Sequence, residues 1–189
     1  MNKQFLIEQL NNIENAKRVN RLRVSNLVLK NPEIFPFLLD IVFDISDKTS
    51  IKAAWVLEFV CKEKLEWLTP YLDYFTENIG SIKQDSAVRP ISKICEFIAK
   101  AYTSKNNSIV KDMLTKEHLD SIIETGFDWL ISQHKVAVKA YTMTTLFLLG
   151  KNYDWVHQEL KLIIQQNITK ETAAYKARGK LTLALINKK

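Results

Sequence analysis

The sequence predicts an all-α fold of stacked helix pairs, and three observations carry that reading. A hydrophobic-basic pair recurs as Ile51-Lys52, Val88-Arg89, Val138-Lys139 and Tyr175-Lys176, its basic positions 37, 50 and 37 residues apart. That interval is the period of an α-solenoid. Only four Gly and four Pro occur in 189 residues, too few turn formers for a loop-rich or all-β chain. Apolar residues fall at helical spacing in ten segments, with no Ser/Gly-rich linker to divide them.

The segments alternate between two kinds of helix. Outer, or A, helices are expected over 3–13, 32–45, 65–79, 116–132 and 153–167; inner, or B, helices over 15–30, 48–63, 85–102, 134–150 and 171–187. Asn31-Pro32 reads as an N-cap followed by proline at the first helical position, and Gly80 and Gly150 stand where C′ glycines belong. Thr103 to Thr115 is polar, contains Asn106-Asn107-Ser108, and reads as an irregular connection that lengthens one interval. Each pair has too much apolar surface to stand alone, so Trp55, Leu57, Phe59 and their counterparts are expected to pack against neighbouring repeats.

Internal alignment supports the repeat. Pro36-Phe37-Leu38 matches Pro70-Tyr71-Leu72 at a spacing of 34. Asp47, Val56, Glu58, Phe59, Val60 and Lys62 match Asp85, Ile94, Glu96, Phe97, Ile98 and Lys100 at 38, and Lys139-Ala140 and Thr145-Leu146 match Lys176-Ala177 and Thr182-Leu183 at 37. The clearest unit runs from Ile34 to Val60, with Pro36 early in helix A, Asp44 at its end, and Ile51-Lys52 opening helix B. On those residues the chain resembles HEAT-type repeat proteins of the armadillo-like class. The resemblance implies a right-handed α-α superhelix of about five helix pairs and a style of binding, without implying a reaction.

The chain is expected to form a single repeat domain over 1–189. Cys61 and Cys95 are too few for a disulfide framework, and the apolar stretch after Met1 is cut by Glu8 before it could serve as a signal sequence. A cytoplasmic protein without membrane contact is therefore expected.

Charge divides between the layers. Counted with Lys170, Lys188 and Lys189, the B segments hold 19 Lys and Arg against Glu58, Glu63, Asp85, Glu96 and Glu171, a net of +14. The whole chain is +6, which leaves −8 for the A helices and connections. A basic concave groove is expected, with Arg18, Arg21, Arg23, Lys52, Arg89, Lys139, Tyr141, Lys176, Arg178 and Lys180 as its binding residues. Arg18, Arg21 and Arg23 have no acidic residue between Asn15 and Lys30. Lys52 and Arg89 have a structural alternative, bonding to Asp47 or Asp85 in a ladder that ties repeats together.

Candidates for catalysis or metal binding are weak. Glu58 and Glu96 occupy equivalent B-helix positions, but each precedes Lys62 or Lys100 by four residues, the favourable order for a local ion pair. His118, His134 and His157 lack partners at metal-ligand spacing, and no cofactor is expected. Glu66-Trp67, Asp128-Trp129 and Asp154-Trp155 look like a packing device of the outer layer, and Tyr102, Tyr141 and Tyr175 belong to the B helices.

The preferred function is thus a non-catalytic interaction module that holds an acidic protein or another polyanion. The alternative is a nucleic-acid-binding protein related to the HEAT-like DNA alkylation repair glycosylases. Those enzymes use an Asp in an aromatic cleft of the concave face, where these B helices offer only Glu58 and Glu96. Adenylosuccinate lyase activity is disfavoured: that family's Met-Pro-x-Lys-x-Asn loop is absent and its helical bundle needs a much longer chain.

Overall fold

A computed structural model describes residues 1–188, which contain helices and no strand. Lys189, counted above among the basic residues, lies outside them. The chain divides into two compact units, Met1–Ile94 and Cys95–Lys189, and the division falls inside one helix.

The first unit holds α1 (Lys3–Asn11), α2 (Arg18–Lys30), α3 (Phe35–Phe43), α4 (Thr49–Glu63), α5 (Leu72–Asn78) and the start of α6 (Asp85–Thr103). Helix α4 packs beside α2, the previous B helix, and also covers α3 and α1, while α1 meets α3. Helices of one kind therefore lie side by side in two layers. Covered on three sides, α4 buries Ala53, Ala54, Val56, Leu57, Val60 and Cys61, a wider apolar face than a surface helix needs.

Prolines explain where these helices depart from the expected ones. The A segment over 65–79 is a 3-10 stretch, Leu65–Tyr71, then α5, then a 3-10 turn at Ile79–Ser81. Pro70 has no N–H for the carbonyl of Glu66, and the Thr69 hydroxyl donates to that oxygen at 2.8 Å instead. Pro90 likewise sits inside α6, and the Trp55 indole N–H donates to the exposed Ser86 carbonyl at 2.8 Å. Asn31 does not cap the following helix. Its side-chain amide donates back to the Leu27 carbonyl at 2.8 Å, closing α2, and Pro32 opens a 3-10 turn, Pro32–Ile34, ahead of α3.

The second unit continues with α7 (Ile109–Met113), α8 (Lys116–Ile131), α9 (Val136–Leu149), α10 (Asp154–Asn167) and α11 (Ala173–Ile186). Helix α9 packs on α8 and beside α11, with α10 against both α9 and α11. The connection read as irregular contains α7, because Ser108 accepts the Lys111 N–H at 3.2 Å and Lys111 Nζ reaches the Ser104 carbonyl at 2.9 Å. His118 is a capping residue: its Nδ1 accepts the Thr115 N–H at 3.1 Å while Thr115 accepts the His118 N–H.

Neither Gly80 nor Gly150 is a left-handed C′ residue, since no described residue has positive φ. Gly80 lies within the Ile79–Ser81 turn, and Gly150 caps α9 at φ −61° and ψ −5°. The three acidic-Trp pairs are not one packing device. Trp129 is buried, but Trp155 is 52 % exposed with its ring 5.7 Å from that of Phe127, and Trp67 is half-buried.

Candidate binding face of the B helices

The B helices of the first unit bring three arginines toward one aromatic ring and one carboxylate. Arg18 and Arg21, three residues apart on α2, lie with their guanidinium carbons 6.0 and 5.1 Å from the Phe59 ring centroid on α4. Such contacts contribute roughly 0.5–1 kcal/mol when exposed and more when desolvated. Glu58 binds Arg89 of α6 in a fork, with Nη2 to Oε2 at 2.6 Å and Nη1 to Oε1 at 3.4 Å. Glu58 therefore pairs across to the next B helix, not with Lys62 on its own helix as the four-residue spacing suggested. A bidentate pair to a guanidinium holds better than an exposed pair to a flexible lysine, and Lys62 instead meets Glu63 at 3.6 Å.

Arg21 is the most constrained member. Burial, followed by the nearby charge of Arg89, pulls its pKa below the ordinary arginine value; Glu58 opposes the shift and Arg18 adds to it. Its Nε is buried and has no hydrogen-bond partner among the described residues. Beside this group, the apolar side chains of Leu22, Leu29 and Phe59 and the charged ones of Arg18, Lys62, Glu63 and Lys64 line a cleft of about 540 Å³.

The other expected residues separate. Arg23 turns to α1, donating to Gln9 Oε1 at 2.8 Å and to the Gln9 carbonyl at 3.3 Å. Lys52 donates to the carbonyl of Asn11, the last residue of α1, at 3.0 Å, while the Asp47 carboxylate accepts the Thr49 N–H. In the second unit Lys139 is buried under α11, with Nζ 2.5 Å from Glu171 Oε1 and 5.7 Å from the Tyr175 ring. Tyr175 is itself core, its pKa raised to about 12 by burial and by the Glu171 charge. Arg178 donates weakly to Thr144 Oγ1 at 3.4 Å beside an alanine-lined cleft between α9 and α11. Tyr141 and Lys176 are half-buried, and Lys180 is exposed.

Helical spacing alone places Phe59 in the core and pairs Glu58 with Lys62, and neither expectation brings them to the arginines. The signal for their placement is the repeat itself: Arg21 and Glu58 are 37 residues apart, so neighbouring B helices set them at one level. Glu96 is nearly buried and paired with Lys100 on its own helix, as the spacing suggested. No group of three His, Cys, Asp or Glu that could hold a metal occurs among the described residues, and no described helix is long and apolar enough to cross a membrane.

Both cysteines are buried, and burial raises their pKa values, that of Cys95 to about 12. The folded protein is expected to resist a thiol reagent at neutral pH and to react at two thiols once unfolded. Ellman titration with and without denaturant checks this.

A family model described as HEAT repeat domain matches residues 6–182. The chain belongs to the HEAT repeat family. No curated protein and no solved structure matches it significantly. As a HEAT repeat protein it is a repeat-based interaction module, whose paired helices support binding faces built from side chains of successive repeats.

Proposed function

We propose that this HEAT repeat protein captures an acidic protein segment on the B-helix face of its first unit, without catalysing a reaction. The observation that carries the reading is the arginine cluster over Phe59. Arg21 lies over an aromatic ring with its Nε enclosed and without a partner among the described residues, and in this reading its Nη groups receive a ligand carboxylate. Arg18 stands exposed beside it, and the adjoining cleft offers Leu22, Leu29 and Phe59 to an apolar residue of the same segment. An amphipathic acidic peptide matches both features.

The cluster suits spaced carboxylates better than a nucleic-acid backbone. Duplex DNA carries about one charge per 1.7 Å of axis, and a partner of that charge density would meet Glu58 and Glu63 as well as the arginines. A peptide can place its carboxylates to avoid them.

The test is fluorescence anisotropy with a labelled peptide of Glu and Leu residues. Combined Arg18→Glu and Lys62→Glu, both at exposed positions, is expected to weaken capture about tenfold or more with little change in thermal midpoint. Unchanged affinity in a folded double variant would exclude this face.

A further inference from the structure

The A layer of the first unit holds a second cleft with the opposite character. It lies between the Pro32–Ile34 turn with the start of α3 and the 3-10 stretch Leu65–Tyr71, and encloses about 470 Å³. Its walls include Pro36, Trp67, Pro70 and Tyr71, and Glu33 and Glu66 belong to its lining. Phe35, 2 % exposed, anchors the aromatic side: its ring lies 5.8 Å from Trp67 in edge-to-face geometry and 6.0 Å from Tyr71. Trp67 and Tyr71 remain half-buried. Three of the four prolines of the chain, Pro32, Pro36 and Pro70, line this one cleft, so its walls have fixed φ angles and lose little entropy when a ligand binds.

Charge at this cleft is negative and loosely engaged. Glu33, 57 % exposed, meets the N-terminal amine at 3.7 Å; Glu66, 45 % exposed, meets Lys64 at 3.5 Å. Exposed pairs of this length contribute little, so a cation from a ligand can replace either.

We propose that this cleft binds a proline-rich segment of another protein, in the polyproline II conformation, with an arginine or lysine flanking the prolines. Such a segment is extended before binding and packs its rings on aromatic side chains; aromatic-lined grooves are the recurring partner of this conformation. It makes no internal hydrogen bonds, which leaves its carbonyls to accept from the Trp67 indole N–H and the Tyr71 hydroxyl. The flanking cation pairs with Glu33 or Glu66 and sets the direction of the segment. This ligand differs in charge and conformation from the acidic segment assigned to the B helices, and its site shares no residue with that one.

The experiment is fluorescence anisotropy of the full chain with three short labelled peptides: an arginine-flanked Pro-x-x-Pro peptide, the same peptide with alanine for proline, and the same with glutamate for arginine. Saturable binding of the first is expected at roughly 10–100 μM, with about tenfold or greater loss for each of the others. Trp67→Ala is expected to abolish binding. Because that variant also loses the contact to Phe35, the combined exposed changes Glu33→Lys and Glu66→Lys serve as a second test. They are expected to weaken the arginine peptide at least about fivefold and to favour the glutamate-flanked one. Excess Glu-Leu peptide is not expected to compete, which keeps the two sites distinguishable. Equal binding of the proline-free peptide, stronger binding of a proline-free trimethyllysine peptide, no saturation up to about 1 mM, or insensitivity to the Glu33/Glu66 reversal overturns the proposal.

Discussion

Gly150→Ala is expected to lower the thermal midpoint by about 2–12 °C. The backbone itself accepts alanine, because Gly150 sits at φ −61° and ψ −5°. The obstacle is space. A Cβ at this position would lie 2.2 Å from His157 Cδ2 and 2.7 Å from its Nε2. His157 cannot swing aside cheaply, since it is buried, its Nε2 lies 2.8 Å from the Phe147 carbonyl oxygen, and its ring stacks on Phe147 at 5.4 Å and 16°. Overpacking of this kind costs roughly 1–3 kcal/mol, and a chain of this size loses about 2–4 °C per kcal/mol. His157→Ala should cost stability alone yet rescue part of the loss in the Gly150→Ala background, a coupling that a double-mutant cycle reads directly. A neutral Gly150→Ala would show that α9 and α10 have room that these distances deny.

Glu58→Ala is expected to cost about 1–3 kcal/mol and to make stability depend on salt. Its carboxylate is 15 % exposed and Arg89 is 29 % exposed, so the pair lies between a surface bridge, worth at most about 1 kcal/mol, and a buried one, whose disruption costs about 3–5 kcal/mol. Without Glu58 the charges of Arg89, Arg21 and Arg18 face one another with no internal counter-charge from that position. Added salt should then recover part of the lost stability by screening, which a purely steric defect would not show. Glu58→Gln, which keeps the volume, should strengthen binding of the acidic Glu-Leu peptide, because it removes a repelling charge from the proposed face. Weaker peptide binding by a folded Glu58→Gln variant would mean that the pair with Arg89 positions the arginines.

Much of the architecture was legible because helical spacing of apolar residues and a repeated hydrophobic-basic pair are long-range signals that local detail does not erase. All ten segments appear as helix, within a few residues at most ends. Local detail was less legible where one residue had two possible partners. Asn31 closes the helix before it instead of opening the next, and Pro70 turns half of a helix into a 3-10 stretch with Thr69 as substitute donor. Gly150 is required by a side chain from the following helix, which no local pattern announces. The same limit separated the basic residues: Arg18 and Arg21 share a ring, but Arg23, two residues on, faces α1. Composition counted all three alike, whereas helix geometry places residues 21 and 23 on different sides of α2.

The central claim, that the arginine cluster of the first unit selects an acidic protein segment, is tested most directly by comparing two polyanionic ligands of different charge spacing. Affinities of the labelled Glu-Leu peptide and of a generic DNA duplex are measured at low and physiological salt. The account predicts tighter binding of the peptide at physiological salt, a salt dependence for both, and selective loss of the peptide in the Arg18→Glu, Lys62→Glu variant. A duplex that binds more tightly than the peptide, or peptide binding indifferent to salt and to that variant, contradicts it.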